Sequence, residues 1–184
     1  MTAVAGLVLA AGAGRRMGQP KALLRHASGE TFVHAAVRAL RDGGCDSVTV
    51  VVGAAHVDAA DVDATIVTAP GWEAGMGESL RAGLAALDPS DTDAALILLV
   101  DLPDVGSAVV HRVLTATPID GNVLARATFG GEPGHPVLIG RAHWAAVRVA
   151  ADGDKGARDY LAGNEVTTVE CGDLATGRDL DVPR

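Results

Sequence analysis

The chain has 184 residues, of which 48% are hydrophobic and 3% aromatic, and its formal net charge is −8. This length and composition predict a single α/β domain over residues 1–184, with a full core of Val, Leu, Ile and Ala. The negative charge argues against non-specific nucleic-acid binding. The sequence shows neither an apolar stretch that could span a membrane nor a secretory signal. We therefore expect a cytoplasmic protein with no nucleic-acid or membrane partner.

Apolar runs alternate with amphipathic stretches along the chain, and this alternation predicts a mostly parallel sheet covered by helices. Strands are predicted at residues 4–9, 47–52, 65–68, 94–100, 123–127, 136–139 and 166–170. Helices are predicted at residues 31–41, 77–87, 107–116, 142–150 and 156–161. Thr31 and Ser107 are the expected N-caps, and Gly43-Gly44 is expected to end the first helix.

The loop after the first strand carries three glycines, two arginines and a lysine within ten residues, from Gly12 to Lys21. Glycines let the backbone turn tightly and expose its N–H groups, and cations beside such groups make a place for phosphates. The loop therefore indicates an enzyme that handles nucleotides. A surface turn rich in Gly and Arg is the alternative.

Two familiar phosphate loops do not fit this segment. The dinucleotide pattern G-x-G-x-x-G has Met17 at its third glycine, and no acid follows the next strand, which disfavours an NAD-dependent oxidoreductase. The Walker A pattern fails because Gln19 and Pro20 separate Gly18 from the lysine, and Ala22 replaces the metal-binding hydroxyl.

Asp101 follows the most hydrophobic strand of the chain. A carboxylate at a strand end is a suitable ligand for Mg²⁺, which needs oxygen ligands and shares them with phosphates. If this strand neighbours the first one, Asp101 faces the glycine-rich loop across one cleft. The alternative is a turn or helix cap before Pro103, and Asp104 is expected to help start the next helix.

Three later segments also suit ligand binding. Gly75 and Gly77 flank a predicted helix start, where free N–H groups can reach a base or sugar, or merely precede an ordinary helix. His135 lies in a predicted turn that leads into a strand. It either donates to an acceptor phosphate or transfers a proton, or it has only a structural role. Arg158 stands one helical turn after Asp154, so the two either meet an anionic acceptor or form a cap and a local ion pair.

Together these segments resemble a known family. Residues 9–21 resemble the nucleotidyltransferase signature L-A-A-G-x-G-x-R-M-G-x-P-K, and Asp101 fits the V-D-x-P pattern of that family. Residues 72–84, 134–136 and 153–158 resemble W-x-x-G-M-G-x-S-L-x-x-G-L, G-H-P and G-D-x-G-A-R of its molybdenum cofactor cytidylyltransferase branch. Residues 179–183 resemble its D-I-D-T-P pattern, with Val182 in place of Thr, and Glu78 stands where Ser is expected.

The resemblance implies a Rossmann-like α/β fold with a mixed, mostly parallel sheet and helices on both faces. It implies transfer of CMP from CTP, a nucleoside triphosphate, to a molybdopterin-type cofactor, with release of pyrophosphate. A guanylyltransferase or a sugar-phosphate nucleotidyltransferase of the same fold is the near alternative, and a non-catalytic nucleotide- or cofactor-binding chaperone is the distant one. A molybdoenzyme or its maturation factor would be the protein partner.

The resemblance also assigns roles to individual residues. The implied catalytic residues are Arg15, Lys21 and Asp101. The implied ligands of Mg²⁺, or of Mn²⁺ in its place, are Asp101 and Asp181, with Asp179 as the reserve for the second. The implied nucleotide-binding residues are Leu9, Ala10, Ala11, Gly12, Gly14, Arg15, Lys21, Gly75 and Ser79. The implied acceptor-binding residues are His135, Asp154 and Arg158.

Overall fold

The computed structural model of the protein describes residues 2–14 and 18–180. Arg15 and Asp181, two of the predicted site residues, lie outside this described part. Within it, seven strands form one sheet in the order β3-β2-β1-β4-β6-β5-β7. The strands are β1 (Val4–Ala10), β2 (Ser47–Val52), β3 (Thr65–Thr68), β4 (Ala94–Leu99), β5 (Leu124–Phe129), β6 (Glu132–Gly140) and β7 (Thr167–Glu170). β6 runs antiparallel to β4 and β5 and the other neighbours are parallel, so the predicted mixed, mostly parallel sheet is confirmed.

Helices cover both faces of the sheet, as predicted. They are α1 (Phe32–Gly43), α2 (Ala59–Val62), α3 (Met76–Leu87), α4 (Ser107–Thr115), α5 (Trp144–Ala150) and α6 (Arg158–Ala162). Successive β1 side chains alternate between two cores: Val8 packs with α1 and α4, and Leu7 packs with α3 and α5. Every β1 residue is buried, as expected for a strand covered on both faces.

Helix ends follow the predicted capping in part. The Thr31 hydroxyl accepts a hydrogen bond from the His34 N–H, and Gly44 closes α1 in the left-handed conformation at φ 116°. The prediction for Ser107 was wrong, because Gly106 holds the extended conformation before the helix and Ser107 is already its first residue. Asp104 does not start that helix either, since its carboxylate accepts hydrogen bonds from Thr176.

The largest departure from prediction is the β5–β6 hairpin. Only Gly130 and Gly131 form its turn, at φ 62° and 83°, whereas the sequence predicted a turn up to residue 135. His135 therefore lies inside β6. Two prolines and a glycine in residues 133–136 look like loop residues. In the structure Glu132 and Pro133 pair with β5, residues 134–136 lie at the register shift, and none of them pairs with β4, so this half of β6 is an edge where proline is tolerated.

Two helices begin later than predicted, because each is preceded by a 3₁₀ turn. The turn Arg141–His143 leads into α5, and the turn Gly153–Lys155 leads toward α6. None of the helices within the described residues has both the length and the apolar character that crossing a membrane requires.

Candidate active site

The glycine-rich loop and Asp101 meet at one edge of the sheet. β1 and β4 are parallel neighbours with Leu9 opposite Leu99, so both chains leave the sheet at their carboxyl ends side by side. Lys21 Nζ donates to Asp101 Oδ2 at 2.7 Å, and the two side chains are only 20% and 18% exposed. The predicted juxtaposition of the loop and Asp101 is therefore present.

Local backbone geometry places Lys21 there. The lysine opens a 3₁₀ turn, Lys21–Leu23, in which the Leu23 N–H donates to the Pro20 carbonyl at 3.0 Å. Gly14 has φ 58°, and a Cβ at this position would overlap the Gln19 carbonyl oxygen. The loop thus folds back on itself, which brings its lysine end over the end of β4.

A cavity of about 400 Å³, here called the loop cavity, opens at this edge. Predicted nucleotide and catalytic residues that line it are Leu9, Ala11, Gly12, Gly14, Lys21, Gly75, Ser79 and Asp101. Ala10 does not line it, since its side chain is buried in the core on the α1 and α4 side. Trp72 and Glu73 also line it, although the sequence assigned them no role.

The start of α3 forms one wall of the loop cavity. Gly75 precedes the helix at φ 120°, and a Cβ there would come within 2.5 Å of the Gly153 carbonyl carbon. Glu78, which departs from the family pattern, hydrogen-bonds to Arg81 one turn later in α3. Its carboxylate therefore has a cationic partner on its own helix.

A second cavity of about 810 Å³ adjoins the first and is called here the β6 cavity. It shares Leu9, Met76, Leu99 and Asp154 with the loop cavity. His135, Asp154 and Arg158, the three predicted acceptor residues, all line it. Most of the predicted nucleotide-binding residues and all three predicted acceptor-binding residues thus line two adjoining cavities.

The β6 cavity holds a histidine and an arginine with shifted acidity. Burial, and secondarily the charge of Arg126, lowers the pKa of His135 to about 4, so its ring is neutral at pH 7. Burial, and secondarily repulsion by Arg158, also lowers the pKa of Arg126. Sequence analysis missed Arg126, whose signal was a charge in the predicted strand 123–127. The ion pair on the neighbouring helix joins Lys155 to Asp159 at 2.9 Å, not Asp154 to Arg158.

The end of the described chain returns to Asp101. The Leu180 N–H donates to the Asp101 carbonyl at 2.9 Å, and Asp179 lines the β6 cavity. Asp181, the predicted second metal ligand, is the next residue and lies outside the described part. Among residues 2–14 and 18–180, no three His, Cys, Asp or Glu side chains group as a metal site.

Residues 6–169 match the family model described as a MobA-like NTP transferase domain. The chain belongs to the MobA-like NTP transferase family. This membership confirms the resemblance to molybdopterin nucleotidyltransferases that the motifs indicated. It also makes the protein a member of a family of enzymes that use a nucleoside triphosphate.

Two relatives of this MobA-like protein bear different names. The nicotine blue oxidoreductase of Paenarthrobacter nicotinovorans is 35% identical, over 97% of this chain and 92% of that protein. A probable molybdenum cofactor guanylyltransferase of Opitutus terrae is 33% identical, over 72% of this chain and 64% of that protein. The family of the chain is therefore established, but the two relatives are named for different activities.

Solved structures share the fold of the MobA-like protein. A nucleotidyl transferase from Methanothermobacter superposes with a TM-score of 0.81 at 23% identity, over 99% of this chain and 93% of that chain. The Rv0371c protein of Mycobacterium tuberculosis, solved in complex with manganese, gives a TM-score of 0.72 at 24% identity, over 97% and 94%. At these identities the likeness shows the Rossmann-like nucleotidyltransferase fold.

Proposed function

We propose that this protein transfers a nucleoside monophosphate from a nucleoside triphosphate to a molybdopterin-type phosphate acceptor and releases pyrophosphate. The observation that carries the proposal is the contact between Lys21 and Asp101 in the loop cavity, which adjoins the β6 cavity. One cavity suits the nucleotide and the other the acceptor, and a transferase needs both substrates side by side.

In this proposal the loop binds the triphosphate. Backbone N–H groups around Ala11 and Gly12 orient the phosphates, and Arg15 and Lys21 neutralise the charge that develops on the leaving pyrophosphate. Gly75 and Ser79 contact the base or the sugar. Lys21 exchanges its Asp101 partner for the triphosphate when the nucleotide binds, because the two anions compete for one ammonium group.

Asp101 fits a divalent cation. Its carboxylate is partly exposed at the end of β4, and hard cations such as Mg²⁺ prefer carboxylate oxygens. Asp101 would hold Mg²⁺ or Mn²⁺ with Asp181, or with Asp179, which lies two residues before it. A bound divalent cation supplies charge neutralisation on phosphate oxygens. The manganese complex of the Rv0371c protein supports this proposal.

The acceptor occupies the β6 cavity, where His135, Asp154 and Arg158 orient it. Its phosphate attacks the α-phosphorus in line, a new P–O bond forms, and the bond to pyrophosphate breaks, so no covalent enzyme intermediate is needed. His135 is neutral at pH 7 and therefore acts by hydrogen bonding rather than by charge.

The choice of base rests on the motifs. The resemblance of residues 72–84 and 153–158 to the cytidylyltransferase branch favours CTP, and the relative in Opitutus terrae makes guanylyl transfer the alternative. Competition binding of CTP against GTP and ATP separates the two. Tighter binding of GTP would overturn the cytidylyl assignment while leaving the transferase intact.

The deciding experiment measures pyrophosphate release with Mg²⁺, a molybdopterin-type acceptor and each nucleotide in turn. Lys21→Ala should lower turnover by roughly 100-fold or more, because it removes a cation from the developing charge. Arg38→Ala is the matched control, since Arg38 pairs with Glu30 on the exposed face of α1. Wild-type turnover in Lys21→Ala at saturating nucleotide would contradict the assignment. Nucleotide binding without any pyrophosphate release would favour the chaperone.

A second candidate is an oxidoreductase, which the 35% identity to nicotine blue oxidoreductase favours. The loop lacks the third glycine of the dinucleotide fingerprint, and this weighs against it. Titration with NADH and NADPH, followed by cofactor fluorescence, discriminates the two candidates. Saturable binding, together with oxidation of the dinucleotide by a dye, would establish this second activity.

A further inference from the structure

Arg126 is a charged residue on the face of the sheet that packs against α3 and α5. Its strand neighbours Ala125 and Ala127 belong to the core under α1 and α4, so Arg126 points to the other side with Leu124. There it lines the β6 cavity together with Arg158, from the first turn of α6. Two arginines, one from the sheet and one from a helix, thus line the same cavity.

The hydrogen bonds of Arg126 are incomplete. One Nη donates to the Gly134 carbonyl at 3.2 Å, but Nε is buried without an acceptor among the residues that the structure describes. Neither Arg126 nor Arg158 forms an ion pair with any residue that the structure describes. Arg126 is half-buried, and a charge that is partly removed from water without a counter-charge is destabilising.

The other groups around the pair do not supply that partner. His135 is neutral, and the nearby charge of Arg126 is one reason why its pKa is low. Asp154 and Asp179 line the same cavity, yet the neighbouring charge that shifts the pKa of Arg126 is the like charge of Arg158. The two arginines therefore repel each other, and an anion beside both would relieve this repulsion and offset the partial burial of Arg126.

We propose that Arg126 and Arg158 together bind a phosphate monoester group of the acceptor, an inference that rests on the proposed function of the β6 cavity. A phosphate dianion neutralises two guanidinium groups, and its three terminal oxygens can accept from both. A carboxylate carries one charge and is satisfied by a single guanidinium group. The two positive charges therefore fit phosphate better than carboxylate.

A purely structural role for Arg126 would explain less. β5 changes register between Arg126 and Thr128, and the bond to Gly134 braces this irregularity. That role uses one Nη group, but it accounts neither for the buried Nε without an acceptor nor for a second arginine beside it. Removing a structural brace would lower the unfolding midpoint, whereas removing an unpaired charge would leave the midpoint unchanged or raise it. Thermal unfolding therefore separates the two roles.

The test uses inorganic phosphate as the probe, in a Lys21→Ala background so that the loop does not compete for it. Calorimetry measures the affinity for phosphate, and thermal unfolding measures the midpoint with and without phosphate. Both are applied to the Lys21→Ala protein alone and to the same protein with Arg126→Met, Arg126→Lys or Arg158→Met added. Each Met variant should weaken phosphate binding by roughly tenfold or more and abolish the rise in midpoint that phosphate causes. Arg126→Lys should recover part of the affinity, because it restores the charge but not the planar geometry.

Arg38→Met is the matched control, since it removes the same charge from a side chain that is 61% exposed and already paired. Without phosphate, Arg126→Met should unfold at the same temperature or higher, because an unpaired buried charge is gone. A lower midpoint with unchanged phosphate affinity would overturn the proposal in favour of the structural brace. Acetate that binds as tightly as phosphate would overturn the assignment to phosphate.

The phosphate result and the transferase result are separable. Phosphate binding that depends on Arg126 would stand even if no nucleotide released pyrophosphate. Conversely, pyrophosphate release with an unchanged KM for the acceptor in Arg126→Met would overturn this site and leave the proposed function in place.

Discussion

Two glycines in the first loop are glycines for different physical reasons. Gly14 needs its conformation, because φ is 58° and a Cβ would overlap Gln19. Gly12 does not, because a Cβ there meets no atom of the described residues within 4 Å and its backbone is not in the left-handed region. We propose that Gly12 instead lets a ligand approach closely, as in loops where the backbone contacts phosphates.

We therefore expect Gly12→Ala to leave stability unchanged but to weaken triphosphate binding by roughly tenfold or more, because the methyl group overlaps the ligand. Gly14→Ala should instead lower the free energy of unfolding by about 1–3 kcal/mol. Urea unfolding and nucleotide titration of both variants provide the measurement. Normal nucleotide affinity in a fully folded Gly12→Ala protein would remove this loop position from the binding site.

At the scale of elements, the β5–β6 hairpin is held by one carboxylate of β7. Glu170 accepts from the N–H groups of Gly130 at 2.8 Å, Gly131 at 3.0 Å and Gly172 at 2.9 Å, and from the Thr128 hydroxyl at 2.9 Å. These bonds lower its pKa from 4.5 to about 2. The tip of the hairpin that carries His135 thus depends on a strand far along the chain.

Because its pKa is lower in the folded state, Glu170 stabilises the fold fully above the unfolded pKa. That contribution is lost as the pH falls from about 4.5 to about 2. Glu170→Gln should lower the urea midpoint at pH 7, and its difference from wild type should shrink steadily on acidification. Glu132→Gln, on the exposed start of β6, is the control. A constant difference between pH 7 and pH 3 would contradict the role of the charge.

The elements that sequence patterns predicted best are the buried parallel strands. β1, β2 and β4 are short apolar runs between loop residues, and each was placed to within one residue. β6 was cut short because its first half contains prolines and a glycine, and only its pairing with β5 makes it a strand. Such pairing joins segments through hydrogen bonds that no local pattern of residues encodes.

At the scale of the molecule, the site assembles the start, middle and end of the chain. The sequence allowed the loop and Asp101 to be paired, because parallel strands share a carboxyl edge. It also gathered His135, Asp154 and Arg158, but only through the resemblance. Arg126 was not predicted as a site residue, because the cavity that it lines forms between β5 and α6. Such contacts follow from tertiary packing, and neither spacing nor residue type reports them.

The segment after β7 should control the proposed metal site, since it carries Asp179 and its Leu180 N–H donates to the Asp101 carbonyl. It is fixed where the Asp104 carboxylate accepts from the Thr176 N–H at 2.7 Å and from its hydroxyl at 2.6 Å. We expect Asp104→Ala to weaken Mn²⁺ binding about fivefold, the effect of losing about 1 kcal/mol of docking. Calorimetry with Mn²⁺ provides the measurement.

Asp88→Ala is the control for this experiment, because Asp88 pairs with Arg148 away from this segment. Both substitutions remove one acid from the surface, so a general electrostatic effect on Mn²⁺ would appear in both variants. A selective loss in Asp104→Ala would show that docking of the segment matters, since Asp104 itself contacts Thr176 rather than Asp101. Equal Mn²⁺ affinities in the two variants would place the second metal ligand elsewhere than on this segment.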